Sequence, residues 1–346
     1  MSAKLIEKVE AGGALERAEA EALMEELLGG RLDTAAIVRL LTALNARPYR
    51  ATELAAFARV MRRHAARVFA EGETPPANMV DTCGTGGDGA QTFNISTAAA
   101  IVAAAAGTRV AKHGNRAASS LSGSADVLEA LGVRIDMPFL ETGKAIREIG
   151  IGFLFAQAAH TATRHAMPAR KQMGVRTVFN LLGPLTNPAG AQAQVLGLFS
   201  ADVLDLVAET LRELGTERAM VIHGAGGLDE ISLAGATQIV EVSGGKITRY
   251  EVTPEEFGIE RAPLDAIRGG TAADNAALLQ RIFEGERGPA HDIVAVNAGA
   301  ALVVTGEAKS LREGAAKASE AMKRGAAKGK LAELRNFRGE APRHSS

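Results

Sequence analysis

The sequence lacks the marks of several large protein classes. Its 346 residues include one cysteine, Cys83, which excludes an internal disulfide and a cysteine-based zinc site. A lone thiol fits a reducing compartment, so the expected location is the cytoplasm. Cys83 has no partner histidine beside it and reads as a small packing residue, so no covalent nucleophile is expected. Lys and Arg total 39 against 40 Asp and Glu, and a net charge of −1 gives no general attraction to nucleic acid or acidic membranes. The apolar runs are too short to span a bilayer, and the opening residues do not read as a secretory signal. Neither nucleic acid nor a membrane is an expected partner, and any anion binding falls to local basic patches.

What is present is an ordinary globular composition, 47% hydrophobic and 23% charged, in a chain long enough for two or three domains. Residues 14 to 69 read as helices. Leu23, Leu27 and Leu28, then Ile37, Leu40, Leu41 and Leu44, then Leu54, Phe57, Val60 and Met61 recur at helical spacing, with breaks at Gly29-Gly30 and Pro48. Glu71 to Pro76 reads as a linker. From Val80 onward, strand-like runs (110 to 113, 153 to 156, 195 to 199, 219 to 224) alternate with helical patterns such as SADVLDLVAETLRELG, which predicts an α/β sheet. The Lys-rich tail, with Lys317, Lys323, Arg324, Lys328 and Lys330, reads as a solvated helix face.

The chemistry concentrates between residues 81 and 124, where two glycine-rich loops, DTCGTGGDGAQTFNIS and KHGNRAASSLSGS, flank an alanine-rich run. Gly84, Gly86, Gly87 and Gly89 are able to take positive φ, so that backbone N–H groups close on an anion. Asn94, Ser96 and Thr97 supply polar groups where a helix is expected to start, itself an anion site. The second loop adds Lys112, Arg116 and the hydroxyls of Ser119, Ser120, Ser122 and Ser124. Two such loops suggest two phosphate-like groups. Gly84-x-Gly86-x-x-Gly89 has dinucleotide-fingerprint spacing, but no acid lies between Asp88 and Asp126 to hold a ribose. Gly84 and Gly89 have P-loop spacing, but Ala90 stands where the lysine belongs.

The wording GTGGD, TFNIST, KHGNR and SGSADVLEALG, extended by RTVFNLLGPLTNPA (176 to 189) and GLDEIS (227 to 232), resembles the anthranilate phosphoribosyltransferase family over most of the chain. The resemblance implies an α/β fold of nucleoside phosphorylase and phosphoribosyltransferase type. A small helical domain (1–70), joined by a helical segment near 160–180, would precede a larger domain (76–346) with a central mixed sheet. It implies transfer of the phosphoribosyl group of 5-phosphoribosyl 1-pyrophosphate to anthranilate, two magnesium ions, and a homodimer through the helical domain. Donor binding would fall to Gly84, Gly87, Asp88, Thr92, Asn94, Ile95, Ser96, Thr97, Lys112, His113, Gly114, Asn115, Arg116, Ala117, Ala118, Ser119, Ser120 and Ser124. Anthranilate would be held by Gly84, Asn115 and Arg170, with His113 lining its pocket. Metal would be held by Ser96, Asp229 and Glu230, an all-oxygen set suited to magnesium.

The chain departs from the family where His-His-Pro-Ala-Met-Lys is usual. His160 and Ala162 are kept, but Ala159, Thr161, Thr163 and Arg164 take the other positions, which puts acceptor affinity rather than donor binding in question. The alternative readings are a pyrimidine-nucleoside phosphorylase, which shares the fold, and a non-catalytic relative that binds nucleic acid. Phosphate-dependent release of free base would identify the first, and salt-dependent nucleic-acid binding the second.

Overall fold

A computed structural model describes residues 2–117 and 120–339. The chain opens with four helices, α1 (Ser2–Glu10), α2 (Arg17–Leu28), α3 (Thr34–Asn45) and α4 (Ala51–Arg63). The apolar stripes read from the sequence all face inward in α2 to α4. Helix α1 extends this layer upstream of residue 14, where the helical reading began. Its nine residues bury only Leu5, Ile6 and Val9, too short a stripe to stand without its neighbours. Glu53, buried in α4, accepts from Arg47 at 2.6 Å and from the Leu15 N–H at 2.7 Å, tying the α1–α2 turn to the start of α4.

The remainder is built on strands β1 (Met79–Gly84), β2 (Arg109–Gly114), β3 (Ile151–Phe155), β4 (Ala193–Gly197), β5 (Arg218–Gly224), β6 (Thr237–Ser243) and β7 (Lys246–Val252). They form one seven-stranded sheet in the order β3-β2-β1-β4-β5-β6-β7. The first five strands run parallel, and β6 pairs antiparallel with both β5 and β7, so the sheet is mixed. Strands β2 to β5 lie on the strand-like runs expected from the sequence. The β6–β7 hairpin turns on Gly244 and Gly245, whose φ values of 55° and 77° meet the need of a two-residue turn for left-handed backbone.

Both faces of the sheet are covered. Val80, Val110, Val195, Met220 and Ile222 point into a core shared with helix α5 (Ile95–Ala105) and the helices at 272–283, 289–304, 311–323 and 326–336. Leu196, Ala219, Val221, Val240 and Val242 point the other way, into a core shared with α1 to α4, Ala166 and Ala169. The segment near 160–180 thus packs with the helical layer. Helix α5 is nearly all Ala, Ile and Val and is buried on every side, its small residues letting it sit close between the sheet and helix 289–304. In the tail, Lys317 and Lys328 pair with Glu313 and Glu284 at 2.9 and 2.8 Å. Among the described residues no helix is long and apolar enough to cross a membrane.

Candidate active site

The sheet reverses its winding between β1 and β4, and crevices at the carboxyl ends of strands at such a point hold ligands. The two strands end in register on glycines, Gly84 opposite Gly197. Asp229, just after β5, lies across both. A Cβ on Gly84 would overlap the Asp229 carboxylate, and one on Gly197 would overlap the Asp229 carbonyl. Gly84 is therefore glycine for room: it ends β1 and is not left-handed, unlike Gly86, Gly87 and Gly89 with φ of 66°, 72° and 77°.

Three bonds pin this loop. Thr85 N–H donates to the Gly197 carbonyl at 2.9 Å, Gly86 N–H to Asp229 Oδ2 at 2.8 Å, and Arg176 Nη2 to the Gly87 carbonyl at 2.5 Å. Thr92 follows, bridged to Arg268.

Asp88, Asp229 and Glu230 are drawn together. Burial, then the Asp88 charge, pushes the Asp229 carboxyl up to about 6. Glu230 is pushed well above the usual carboxylate range by burial and then by Asp229, while Lys112 and the Ser96 N–H pull it back. Crowded carboxylates beside a hydroxyl residue suit a hard divalent cation, whose charge would relieve their repulsion. Among the described residues no three His, Cys, Asp or Glu side chains converge as a complete metal cage. A magnesium site finished by substrate oxygens needs none.

The start of α5 lies beside this cluster, with Thr82 Oγ1 donating to the Ser96 carbonyl at 3.1 Å. Asn94 precedes α5 but does not cap it. Its Nδ2 donates to the Ser122 carbonyl at 3.0 Å, and its Oδ1 accepts from Ser122 Oγ at 3.2 Å and Asn275 Nδ2 at 2.9 Å, so it fastens the two loops together. The Ile95 and Thr97 side chains are buried, and the Ile95 N–H already donates to the Phe93 carbonyl at 2.7 Å.

Lys112, His113 and Gly114 belong to β2 rather than to the second loop. Lys112 is buried, donates to the Thr82 carbonyl, and faces Asp81 and Glu230. It is a counter-charge beneath the site and not a loop cation.

Asn115 Oδ1 accepts from Arg116 N–H at 2.8 Å, and Ser124 Oγ donates to the Asn115 carbonyl at 3.1 Å. Ser120 Oγ reaches the Ser122 carbonyl at 3.3 Å. Arg116 is not a free fork, since its Nη1 bonds Asp126 at 2.9 Å and Glu129 at 2.5 Å. Asp126 also accepts from the Ala117 and Gly123 N–H groups at 2.9 and 2.8 Å, making it the organiser of this loop. Ala118 and Ser119 lie outside the described residues.

Behind β2, the His113 and His160 rings meet edge-on at 5.2 Å. Burial lowers both, His113 to about 3 and His160 to about 4, so both are neutral near pH 7. Cys83 is buried against Gln194, and desolvation raises its thiol well above the ordinary value, which suits packing. Asp81, fully buried, accepts the His113 N–H at 3.0 Å where the β1–β2 ladder opens. Arg170 stands over the Phe179 ring at 5.4 Å, with Met167 Sδ at 3.8 Å from Nη1. Burial lowers its pKa, as for a cation that would gain from a carboxylate ligand. Asp81, Asp126 and Arg176 were not singled out from the sequence. Asp126 and Arg176 lie in SGSADVLEALG and RTVFNLLGPLTNPA, and Asp81 opens the first glycine-rich loop.

The chain matches the glycosyl transferase family α/β domain over residues 76–328 and the helical bundle domain of the same family over residues 3–65. It is 47% identical to an anthranilate phosphoribosyltransferase from Desulfatibacillum aliphaticivorans, over 97% of this chain and 98% of that protein. It resembles the crystal structure of anthranilate phosphoribosyltransferase from Thermus thermophilus at 48% identity and a TM-score of 0.91, covering 96% of this chain and 98% of that one. The Saccharomyces cerevisiae enzyme, solved in complex with PRPP and Mg, is 25% identical with a TM-score of 0.84, covering 96% of each chain.

Proposed function

The chain belongs to the anthranilate phosphoribosyltransferase family, and from that premise we infer that it transfers the phosphoribosyl group of 5-phosphoribosyl 1-pyrophosphate to anthranilate. The products are N-(5-phosphoribosyl)anthranilate and pyrophosphate, a step of tryptophan biosynthesis. The observation that carries the reading is the meeting, at the β1–β4 reversal, of a pinned glycine loop, the start of α5 and the Asp229–Glu230 pair.

The C1–O bond to pyrophosphate breaks with its electron pair leaving on oxygen, and the anthranilate nitrogen lone pair forms the C1–N bond. An aromatic amine is neutral at pH 7 and sheds its proton to water afterwards, so no dedicated base is required. The demands on the protein are therefore to bind a highly charged leaving pyrophosphate and to align the acceptor. Asp229, Glu230 and Ser96 would hold magnesium, proposed as two ions, which would supply positive charge to the leaving pyrophosphate.

Gly84, Gly87, Asp88, Thr92, Asn94, Ile95, Ser96, Thr97, Lys112, His113, Gly114, Asn115, Arg116, Ala117, Ala118, Ser119, Ser120 and Ser124 bind the donor. Lys112 acts there by balancing Glu230. Arg170 and Asn115 orient anthranilate beside Gly84, and neutral His113 lines the pocket. The active form is a homodimer joined through the α1–α4 layer and working in the cytoplasm. Light scattering at working concentration tests the dimer.

The direct test of function incubates purified protein with 5-phosphoribosyl 1-pyrophosphate, magnesium and a panel of aromatic acids and bases. Loss of anthranilate fluorescence should match pyrophosphate release one for one. Pyrophosphate release without anthranilate loss, or release of free base from a nucleoside with phosphate, would overturn the reading.

A further inference from the structure

Arg176 has no part in the roles above, yet it joins three pieces of the site. It follows the helix Met167–Met173, which ends on Gly174 at φ 64°. Its guanidinium carbon lies 3.8 Å from the centroid of the Phe199 ring, close for a cation–π contact, and its Nη2 donates to the Gly87 carbonyl at 2.5 Å. Its own carbonyl accepts from Asn45 Nδ2, at the end of α3, at 2.7 Å, and the Tyr49 hydroxyl bonds Asn45 Oδ1. Phe199 is fixed in turn, because its N–H donates to Thr85 Oγ1 at 3.0 Å.

A trans peptide points its C=O and the following N–H in opposite directions. With the Gly87 carbonyl bound to Arg176, the Asp88 N–H must point away from Arg176. Asp88 Oδ1 accepts the Ala90 N–H at 3.1 Å, which holds the side chain and leaves the Gly87–Asp88 peptide to Arg176. Gly86, Gly87 and Gly89 all hold left-handed φ, and glycine crosses between such states at low cost. The Gly86 N–H is committed to Asp229, so the Gly87–Asp88 peptide is the part of the loop whose direction rests on Arg176.

We propose that Arg176 is a positioning residue for the phosphoribosyl donor, fixing the Gly87–Asp88 peptide so that the Asp88 N–H turns away from Arg176 and is presented to the donor. This rests on the donor reading given above. Arg176 touches no reacting atom in this scheme. It acts by removing the cost of ordering the loop when the donor binds.

The test measures steady-state kinetics of the wild type, Arg176→Met and Arg176→Lys, with thermal melting as a check on the fold. Met keeps the stem on Phe199 but cannot donate, whereas Lys keeps a cation and a donor. Arg176→Met should raise the KM for 5-phosphoribosyl 1-pyrophosphate by about tenfold or more, with kcat and the KM for anthranilate within about threefold of wild type. Arg176→Lys should recover most of that loss. A donor KM within about twofold of wild type in Arg176→Met, or no recovery in Arg176→Lys, overturns the proposal. Should Arg176→Met not fold, Asn45→Ala removes the anchor on the Arg176 carbonyl without touching the loop. It should raise the donor KM in the same direction, and an unchanged value there also overturns the proposal. A wild-type protein that consumes no donor would overturn the reading of the site itself and this proposal with it.

Discussion

Asp229 rests on Gly84, with its carboxylate where a Cβ of residue 84 would have to go and its Oδ2 bonded two residues on to the Gly86 N–H at 2.8 Å. The pair couples the length of a side chain to the path of the first glycine loop. Gly84→Ala should swing the carboxylate aside, because the obstruction is the mobile end of a side chain. Turnover should fall about a hundredfold with a small change in melting temperature, as expected for a misplaced group at the reacting centre. Gly197→Ala meets the Asp229 backbone, which cannot rotate away. That variant should lose stability as well, by about 1 to 3 kcal/mol, the usual cost of overpacking. Equal loss of stability in both variants, by denaturant titration, would contradict this division.

The same carboxylate sets a pH dependence. Its folded-state pKa is raised from 3.8 to about 6 by burial and by Asp88, so ionising it opposes folding. The folded state then holds the proton more tightly than the unfolded chain. Asp229 is therefore no burden below about pH 4, its contribution worsens between pH 4 and 6, and the full penalty applies above 6. Without magnesium, Asp229→Asn should melt higher than wild type at pH 7.5, and the gap should close toward pH 4. Magnesium should raise the wild-type melting temperature more at pH 7.5 than at pH 5, and raise that of Asp229→Asn little. A metal-free wild type as stable as the variant at pH 7.5 would show that the charge is already compensated.

The sheet was legible because strands buried on both faces are rich in apolar residues, as β3 to β5 are, while β2 was read from Val110 and Ala111 despite Lys112 and His113. Helix α1 and the β6–β7 hairpin were not read. The first has only three inward residues, and the second alternates with Lys246, Arg249 and Glu251 exposed along an edge strand. Side-chain partners were the least legible part. Asn94 read only as a polar group where a helix starts, but two of its bonds go to Ser122 and a third to Asn275, 181 residues away. Lys112 looked like a loop cation because it begins KHGNR. The parallel pairing of β2 with β3 instead carries the strand through Gly114 and buries the lysine.

Arg116 and Asp126 make a pair whose members should fail differently. Asp126 holds the Ala117 and Gly123 N–H groups as well as Arg116, so Asp126→Ala leaves two backbone donors unpaired and Arg116 held by Glu129 alone. Arg116→Ala leaves those backbone bonds in place. Donor affinity by calorimetry should fall in Arg116→Ala by about 1.5 to 3 kcal/mol if the guanidinium also bonds a phosphate, the range for one charge-assisted contact. It should fall further in Asp126→Ala, where the loop itself loosens. Wild-type affinity in Arg116→Ala would restrict that arginine to holding the loop.

Arg170 gives the sharpest test of the acceptor. Its guanidinium lies over Phe179 and has no carboxylate partner among the described residues, while burial already makes its charge costly. A bound anthranilate carboxylate would remove that cost through two parallel hydrogen bonds. Arg170→Lys keeps the charge and loses the planar pair of donors. The KM for anthranilate should therefore rise about tenfold or more while donor affinity stays nearly unchanged. Aniline, which lacks the carboxylate, should react poorly with wild type and lose little further in the variant. The neighbouring Thr161, Thr163 and Arg164 serve as a control, since restoring the residues usual in the family should shift anthranilate KM without altering the contrast between the two acceptors. If anthranilate and aniline lose activity equally in Arg170→Lys, the residue acts through the fold or the donor, and the carboxylate-binding role falls.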